Sequence, residues 1–229
     1  KGGVALYRYD AASKHFAKLD AGGEVVQELS FAAKAAAAAC TASGPWSPET
    51  LSAVDLGGGA AHTLDTPAAL AFATVRKGDV VAAAFPSRNS TTIDGRVYLP
   101  PGFDAAAAGR YPAIVYYHGG TNPVARDFGG RFPKEWWAAH GYVVYVPQPS
   151  GATGYGQAHS AAHVNDWGEI ASQEILDGTR AFLAAYPAVD GKRVGAIGAS
   201  YGGFMTMLLV TKTDLFAAAV SHAGISNLA

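Results

Sequence analysis

Val4-Ala5-Leu6-Tyr7-Arg8-Tyr9 alternates in the way a strand buried on one face does. Asp10-Ala11-Ala12-Ser13-Lys14 then supplies a turn, and His15-Phe16-Ala17-Lys18-Leu19 a second short strand. The arrangement returns later in the chain. Leu6, Asp10 and Leu19 are matched about 45 residues on by Leu51, Asp55 and Leu64, with Gly57-Gly58-Gly59 as the turn. Several short strands per unit at that period suit the blade of a β-propeller. Phe31 to Cys40 sets two levels against each other. Its alanines favour helix on propensity, yet it lies where a blade needs a strand, and we assign it to strand. A propeller needs at least four blades, so residues 1–74 would be the C-terminal blades of one, with sheet edges left to be paired. His15 and His62 sit at turns or strand ends and read as solvated surface residues.

A second organisation begins near residue 75, which divides the chain into 1–74 and 75–229. Residues 79–86 and 94–101 read as strands joined by a polar turn around Arg88 to Thr92. Tyr111-Pro112-Ala113-Ile114-Val115-Tyr116-Tyr117 is a continuous apolar run, as in a strand buried on both faces. It ends at His118-Gly119-Gly120. Residues 132–140 carry a helical pattern closed by Gly141, and 142–146 form the next buried strand. A long Gly/Pro loop follows over 147–156. Glu169 to Tyr186 repeats apolar positions at helical spacing. A strand runs to Ala199, a helix starts at Tyr201, and residues 216–221 give a further strand. Strands alternating with helices predict an α/β class built on a parallel sheet covered by helices on both faces.

Between that strand and helix lies Gly198-Ala199-Ser200-Tyr201-Gly202, which fits the Gly-x-Ser-x-Gly nucleophile elbow. A serine held on a sharp strand-to-helix turn has strained dihedrals, and side chains two residues either side would collide. The following helix puts its first amides and positive dipole end where an oxyanion would form. The glycine pair after Tyr117 lets backbone amides approach a ligand, and His-Gly-Gly is a form of oxyanion loop in α/β-hydrolases. An ordinary glycine turn and a chance Gly-x-Ser-x-Gly match are the plainer readings.

Composition narrows the partners. A net charge of −1 gives no basic footprint for nucleic acid, and no apolar run reaches the length of a membrane span. The single cysteine, Cys40, excludes an internal disulfide framework and any multi-cysteine metal site, and reads as a small buried side chain. No metal or organic cofactor is implied. The chain starts at Lys1 with neither methionine nor a leader-like segment, as an internal piece of a longer protein would.

With elbow, His-Gly-Gly loop and blade-like repeat together, the chain resembles the prolyl oligopeptidase family of serine peptidases, nearest its acylaminoacyl-peptidase and dipeptidyl-peptidase branches. The stretches that carry the likeness are Asp94 to Phe103, Tyr111 to Gly120, Gly151-Ala152-Thr153-Gly154-Tyr155-Gly156, Asn165-Asp166-Trp167-Gly168, and Val189 to Met205. The resemblance implies a propeller that restricts access to an α/β-hydrolase domain, and cleavage of short peptides. It implies Ser200 as nucleophile, with the backbone N–H groups of Tyr201 and Gly120 as oxyanion donors. His118, Gly119, Tyr155 and His222 are candidates to line the pocket. Two positions depart from the family. Thr121 stands where proline often follows His-Gly-Gly, and Pro149-Ser150 where an arginine often precedes the Gly-x-x-Gly-Tyr-Gly loop. Both alter the loop shape around the pocket.

In α/β-hydrolases the serine is followed in chain order by the acid and then the histidine. Asp214 is the acid that follows Ser200, and it falls in a helix-to-strand connection on the wrong side. His222 ends a strand on the same sheet edge as Ser200, but no acid follows it. His163 with Asp166 lies upstream, where a structural role fits better. The triad's acid and histidine are therefore expected downstream or on another chain, and without a base Ser200 is a weak nucleophile. A second chain completing the domain, or a homo-oligomer, is one expectation. Alternatives are a carboxylesterase or lipase on the same fold, and a catalytically inactive fragment or binding module.

Overall fold

The structure, a computed structural model, describes residues 3–88 and 92–227. Most of the turn expected around Arg88 to Thr92 thus lies outside the described residues. The chain divides into two compact units, residues 3–76 with 125–135, and residues 77–124 with 136–227.

In the first unit β1 (Tyr7–Asp10) and β2 (His15–Lys18) form an antiparallel hairpin. β3 (Val25–Phe31), β4 (Ala37–Gly44), β5 (Ser47–Asp55) and β6 (His62–Asp65) form a four-stranded antiparallel sheet in chain order. α1 is a single turn, Ala69–Phe72. The repeated aspartates do the same job twice, because a short carboxylate reaches the amides of its own turn. Asp10 Oδ1 takes the N–H of Ser13 at 2.7 Å, and Asp55 takes those of Gly57 and Gly59 at 2.7 and 3.2 Å. Phe31 to Cys40, expected as one strand, is instead a reversal. β3 ends at Phe31, the chain bends over residues 32–36, and Ala32 N–H meets Ala37 O at 3.0 Å. A run of alanines has no alternation to mark the bend, and the pairing of Phe31 with Ala38 decides where it falls. Cys40 is buried in the small core of this unit beside Leu19 and Val54, and burial pushes its thiol up.

The second unit continues with β7 (Val80–Pro86), β8 (Thr92–Tyr98), β9 (Tyr111–Tyr117), α2 (Lys134–Ala139), β10 (Val143–Gln148), α3 (Gln157–Ala161), α4 (Glu169–Ala185), β11 (Val189–Ala199), α5 (Tyr201–Lys212) and β12 (Ala218–His222). Among the described residues these strands make a six-stranded sheet in the order β12-β11-β9-β10-β8-β7. The sheet is mixed, not parallel. β10, β9, β11 and β12 run parallel, whereas β8 pairs antiparallel with both β7 and β10. A parallel pair needs a long crossover; β7 and β8 are too near in sequence for one, and the residues of neither strand carry a signal of direction.

Alternate side chains of the strands, among them Val97, Val115, Tyr117, Tyr145 and Ala196, pack on Ile175, Leu176 and Phe182 of α4 and on Met205 and Leu209 of α5. The Tyr145 and Phe182 rings stack with centroids 4.9 Å apart, and the Tyr117 hydroxyl pairs with Thr206 Oγ1 at 2.6 Å. On the opposite face the Tyr116 ring meets Trp137 of α2 edge-on at 5.9 Å. Four parallel strands bring their C-terminal ends to one edge. The loops after β9 and β10 and the turn after β11 gather there, which is where open α/β sheets bind ligands.

Candidate active site

A single residue, Ser200, separates β11 from α5, and it holds φ 57° and ψ −114°. Positive φ at a non-glycine residue is costly and persists only where the surroundings over-determine it. Here they do. Ser200 N–H donates to the carbonyl of His222 at 2.9 Å, and Ser200 O accepts from Phe204 N–H at 3.0 Å. The flanking glycines leave no room for side chains: a Cβ on Gly198 would stand 2.5 Å from Gly202 O, and one on Gly202 2.8 Å from His118 O. The loop after β9 lies directly on this turn, since a Cβ on Gly119 would come within 2.2 Å of Ala199 O.

Two backbone N–H groups near the turn are candidates for an oxyanion site, that of Tyr201 and that of Gly120, the residue after the packed Gly119. Tyr201 opens α5, and the first N–H groups of a helix have no intrahelical acceptor and sit at its positive dipole end. Gly120 is exposed at φ 57°, and its N–H makes none of the backbone hydrogen bonds among the described residues. Amides so placed can hold a developing oxyanion.

His118 is buried, and its Nδ1 lies 3.1 Å from Gly120 O. Burial pushes its imidazole down from the ordinary 6.5, so the ring is neutral at pH 7 and Nδ1–H is the donor to that carbonyl. His118 therefore braces the glycine loop. The unfolded chain takes up a proton near pH 6.5 that the folded ring resists, so stability is full above that pH and declines as pH falls below it. Urea unfolding of the parent and of His118→Gln from pH 7.5 to 5 should show the parent losing the more stability on acidification. Parallel curves would remove His118 from the account.

A cavity of about 90 Å³ beside the turn is lined by residues that include His118, Gly120, Ser150, His163, Trp167 and Tyr201. The Tyr201 phenol is pushed up to about 12 by burial and then by the charge of Asp166, so it stays a neutral donor. Trp167 meets its ring edge-on at 5.3 Å. The structure thus brings His118, Gly120 and Tyr201 together at this cavity. Gly119, Tyr155 and His222 stand outside its lining. Tyr155 faces the ring of His159 at 5.0 Å, and His222 serves Ser200 through its backbone carbonyl.

Asp166 caps α4, its carboxylate taking the N–H groups of Gly168, Glu169 and Ile170 at 3.1, 2.6 and 3.2 Å. Asp214 lies in the connection between α5 and β12, at the far end of the strands from Ser200. Among the described residues no hydrogen bond joins Ser200 Oγ to an imidazole, and no cluster of three His, Cys, Asp or Glu side chains is placed to hold a metal ion.

Two buried residues escape a reading of sequence alone. Glu174, on α4, takes the N–H and hydroxyl of Ser150 at 2.6 and 2.8 Å. A serine in place of the arginine suggested by the family is thus short enough to seat on that carboxylate. Gln148, at the end of β10, bonds the backbone of Val124 with both ends of its side-chain amide. A polar side chain closing an apolar strand is the sequence signal for Gln148, and a carboxylate next to Ile175 and Leu176 in a helical pattern is that for Glu174.

The model of the prolyl oligopeptidase family matches residues 130–229. Dipeptidyl-peptidase 5 of Porphyromonas gingivalis is 40% identical over 134 residues, 58% of this chain and 19% of that protein. Dipeptidyl-peptidase 5 of Aspergillus oryzae is 33% identical over 150 residues, 64% of this chain and 20% of its own length. Among solved structures, an acylaminoacyl peptidase in complex with Z-Gly-Gly-Phe-chloromethyl ketone superposes with a TM-score of 0.84 at 26% identity, over 97% of this chain and 34% of that one. The acylaminoacyl peptidase of Pyrococcus horikoshii does so with a TM-score of 0.85 at 25% identity, over 98% and 34%. The chain spans 19% of the first of these relatives and 34% of each of the two solved chains. These relatives are peptidases. The matched segment begins ahead of α2 and takes in the loop after β10 and the Ser200 turn, and over those residues the chain is similar to the prolyl oligopeptidase family.

Proposed function

We propose that this chain carries the nucleophile and oxyanion site of a serine peptidase that hydrolyses short peptides. The observation that carries the reading is Ser200 at positive φ between β11 and α5, with Gly119 packed on the turn and the N–H groups of Gly120 and Tyr201 beside it. Ser200 Oγ attacks the peptide carbonyl and passes its proton to a histidine. The two amides hold the tetrahedral oxyanion. Collapse expels the amine, which takes that proton, and water then hydrolyses the acyl-enzyme.

The histidine and its acid come, in this reading, from polypeptide beyond these 229 residues, in the same or a second chain, because no imidazole among the described residues bonds Ser200 Oγ. The 229 residues alone are then nearly inactive. Residues 75–229 are the N-terminal part of an α/β-hydrolase domain, a reading supported by the parallel order of β9 to β12 and the turn after β11. Residues 1–74 are the C-terminal blades of a β-propeller, for which the antiparallel meander β3 to β6 is the support. A propeller gate suits short peptides, and the peptide-like chloromethyl ketone held by one structural relative favours the same substrate class.

The test is a substrate panel given to the protein expressed from its complete gene: di- and tripeptide anilides, matched nitrophenyl esters of simple acids, and a folded protein. Cleavage of the short peptides with the folded protein left intact is the expected outcome. Turnover of the simple esters alone would replace the peptidase reading with an esterase.

A further inference from the structure

We propose that Gln148 is a positioning residue for the oxyanion loop, an inference that rests on reading Gly120 N–H as an oxyanion donor. β9 and β10 pair in parallel register as far as Val115 and Tyr145, and beyond that point the two chains part. The chain after β9 runs out through His118, Gly119 and the exposed Gly120 and Thr121, and returns to the interior at Val124. Gln148 closes the gap. Its Nε2 donates to Val124 O at 2.8 Å, and Val124 N–H donates to its Oε1 at 3.1 Å. The side-chain amide thus ties the returning end of the loop, at Val124, to the end of β10. Its orientation is fixed, because a flipped amide would set donor against donor and acceptor against acceptor.

Gln148 and Val124 are both buried, at 4% and 8% exposure, so water competes poorly for these bonds. Thr153 N–H adds a bond to Thr121 O at 2.7 Å, and His118 Nδ1–H holds Gly120 O. Glu174 in turn anchors Ser150, two residues beyond Gln148. The loop carrying Gly120 is therefore held from the end of β10 and the segment after it at its far end, and by His118 at its near end. Releasing the far end lets Gly120 drift from the elbow while Ser200, set by β11, α5 and His222 O, stays in place. Gln148 touches no reacting atom, and its effect passes through the loop.

The experiment uses the protein expressed from its complete gene and compares the parent with Gln148→Met, which keeps length and loses both hydrogen bonds. Saturation kinetics with a fluorophosphonate give the acylation rate and the apparent affinity separately, and the melting temperature is recorded beside them. A displacement of the donor loop should slow acylation by about 10- to 100-fold. Apparent affinity should hold, and amide hydrogen exchange over residues 120–124 should quicken. Gln148→Glu, which keeps the acceptor for Val124 N–H, should fall between the two. A parent that labels and a Gln148→Met that labels at the same rate would overturn the positioning role while leaving Ser200 as the nucleophile. An equal loss of rate and affinity with a collapsed melting temperature would also overturn it, as a purely structural residue. A parent that fails to label would overturn the reading of the site itself, and this inference with it.

Discussion

Replacing Ser200 with alanine should abolish acylation by a fluorophosphonate and lower peptide turnover by about 10⁶-fold in the protein expressed from its complete gene, the scale set by removing the nucleophile of a serine hydrolase. The fold should survive. Ser200 is exposed, and its structural work is done by the backbone, whose N–H meets His222 O and whose carbonyl meets Phe204 N–H. Alanine keeps both bonds. It also keeps the positive φ of the turn, at a cost no greater in kind than serine already bears. A melting temperature within a few degrees of the parent, together with a dead site, is the combined result expected. Retention of turnover at even a hundredth of the parent rate would mean that the reacting group lies elsewhere.

Gly119→Ala is the second large effect, and it acts through space. The added Cβ would sit 2.2 Å from the carbonyl oxygen of Ala199 and 3.5 Å from Ser200 Cβ. The obstructing atom is backbone, so no rotamer change relieves the clash. Either the glycine loop or the elbow must shift by about 1 Å, and a misplacement of that size costs about 10²-fold in rate. The loss should appear in the acylation step, since the shifted elements carry the nucleophile and one oxyanion donor. Thr121→Ala, on the exposed part of the same loop, leaves backbone and glycines as they are and serves as the matched control. Equal acylation by Gly119→Ala and the parent would show that the loop does not pack on the elbow in solution.

Much of the site's frame was legible in the sequence, and the reasons are local. Tyr111 to Tyr117 is apolar throughout and is β9 without a residue of difference, although only its alternate residues are fully buried and Pro112, Ile114 and Tyr116, on the other face, are half-buried. The spacing Gly198, Ser200, Gly202 encodes a steric requirement, and the close approaches at both glycines are that requirement in atoms. Asp166 was readable as structural, since a carboxylate just ahead of a helical pattern can cap it. What local pattern does not carry is pairing. The hairpin of β7 and β8 joins β10 antiparallel through β8, which made the sheet mixed, and nothing in the residues of either strand specifies that partner. The bend between Phe31 and Ala37 was hidden for the same reason, because a run rich in alanine has no alternation to mark where one strand stops and the next begins. Gln148 and Glu174 were missed because their meaning depends on where two loops meet, and loop paths follow from the finished sheet.

Ser200 is proposed to be a nucleophile completed by groups outside these 229 residues. Intact-mass analysis after exposure to a fluorophosphonate tests it most directly, on the 229-residue chain alone and on the protein expressed from its complete gene. The account predicts an adduct mapping to the peptide that carries Ser200 in the complete protein, and none on the 229-residue chain by itself. An adduct on any other residue, or no adduct on a complete protein that still cleaves peptides, would contradict it.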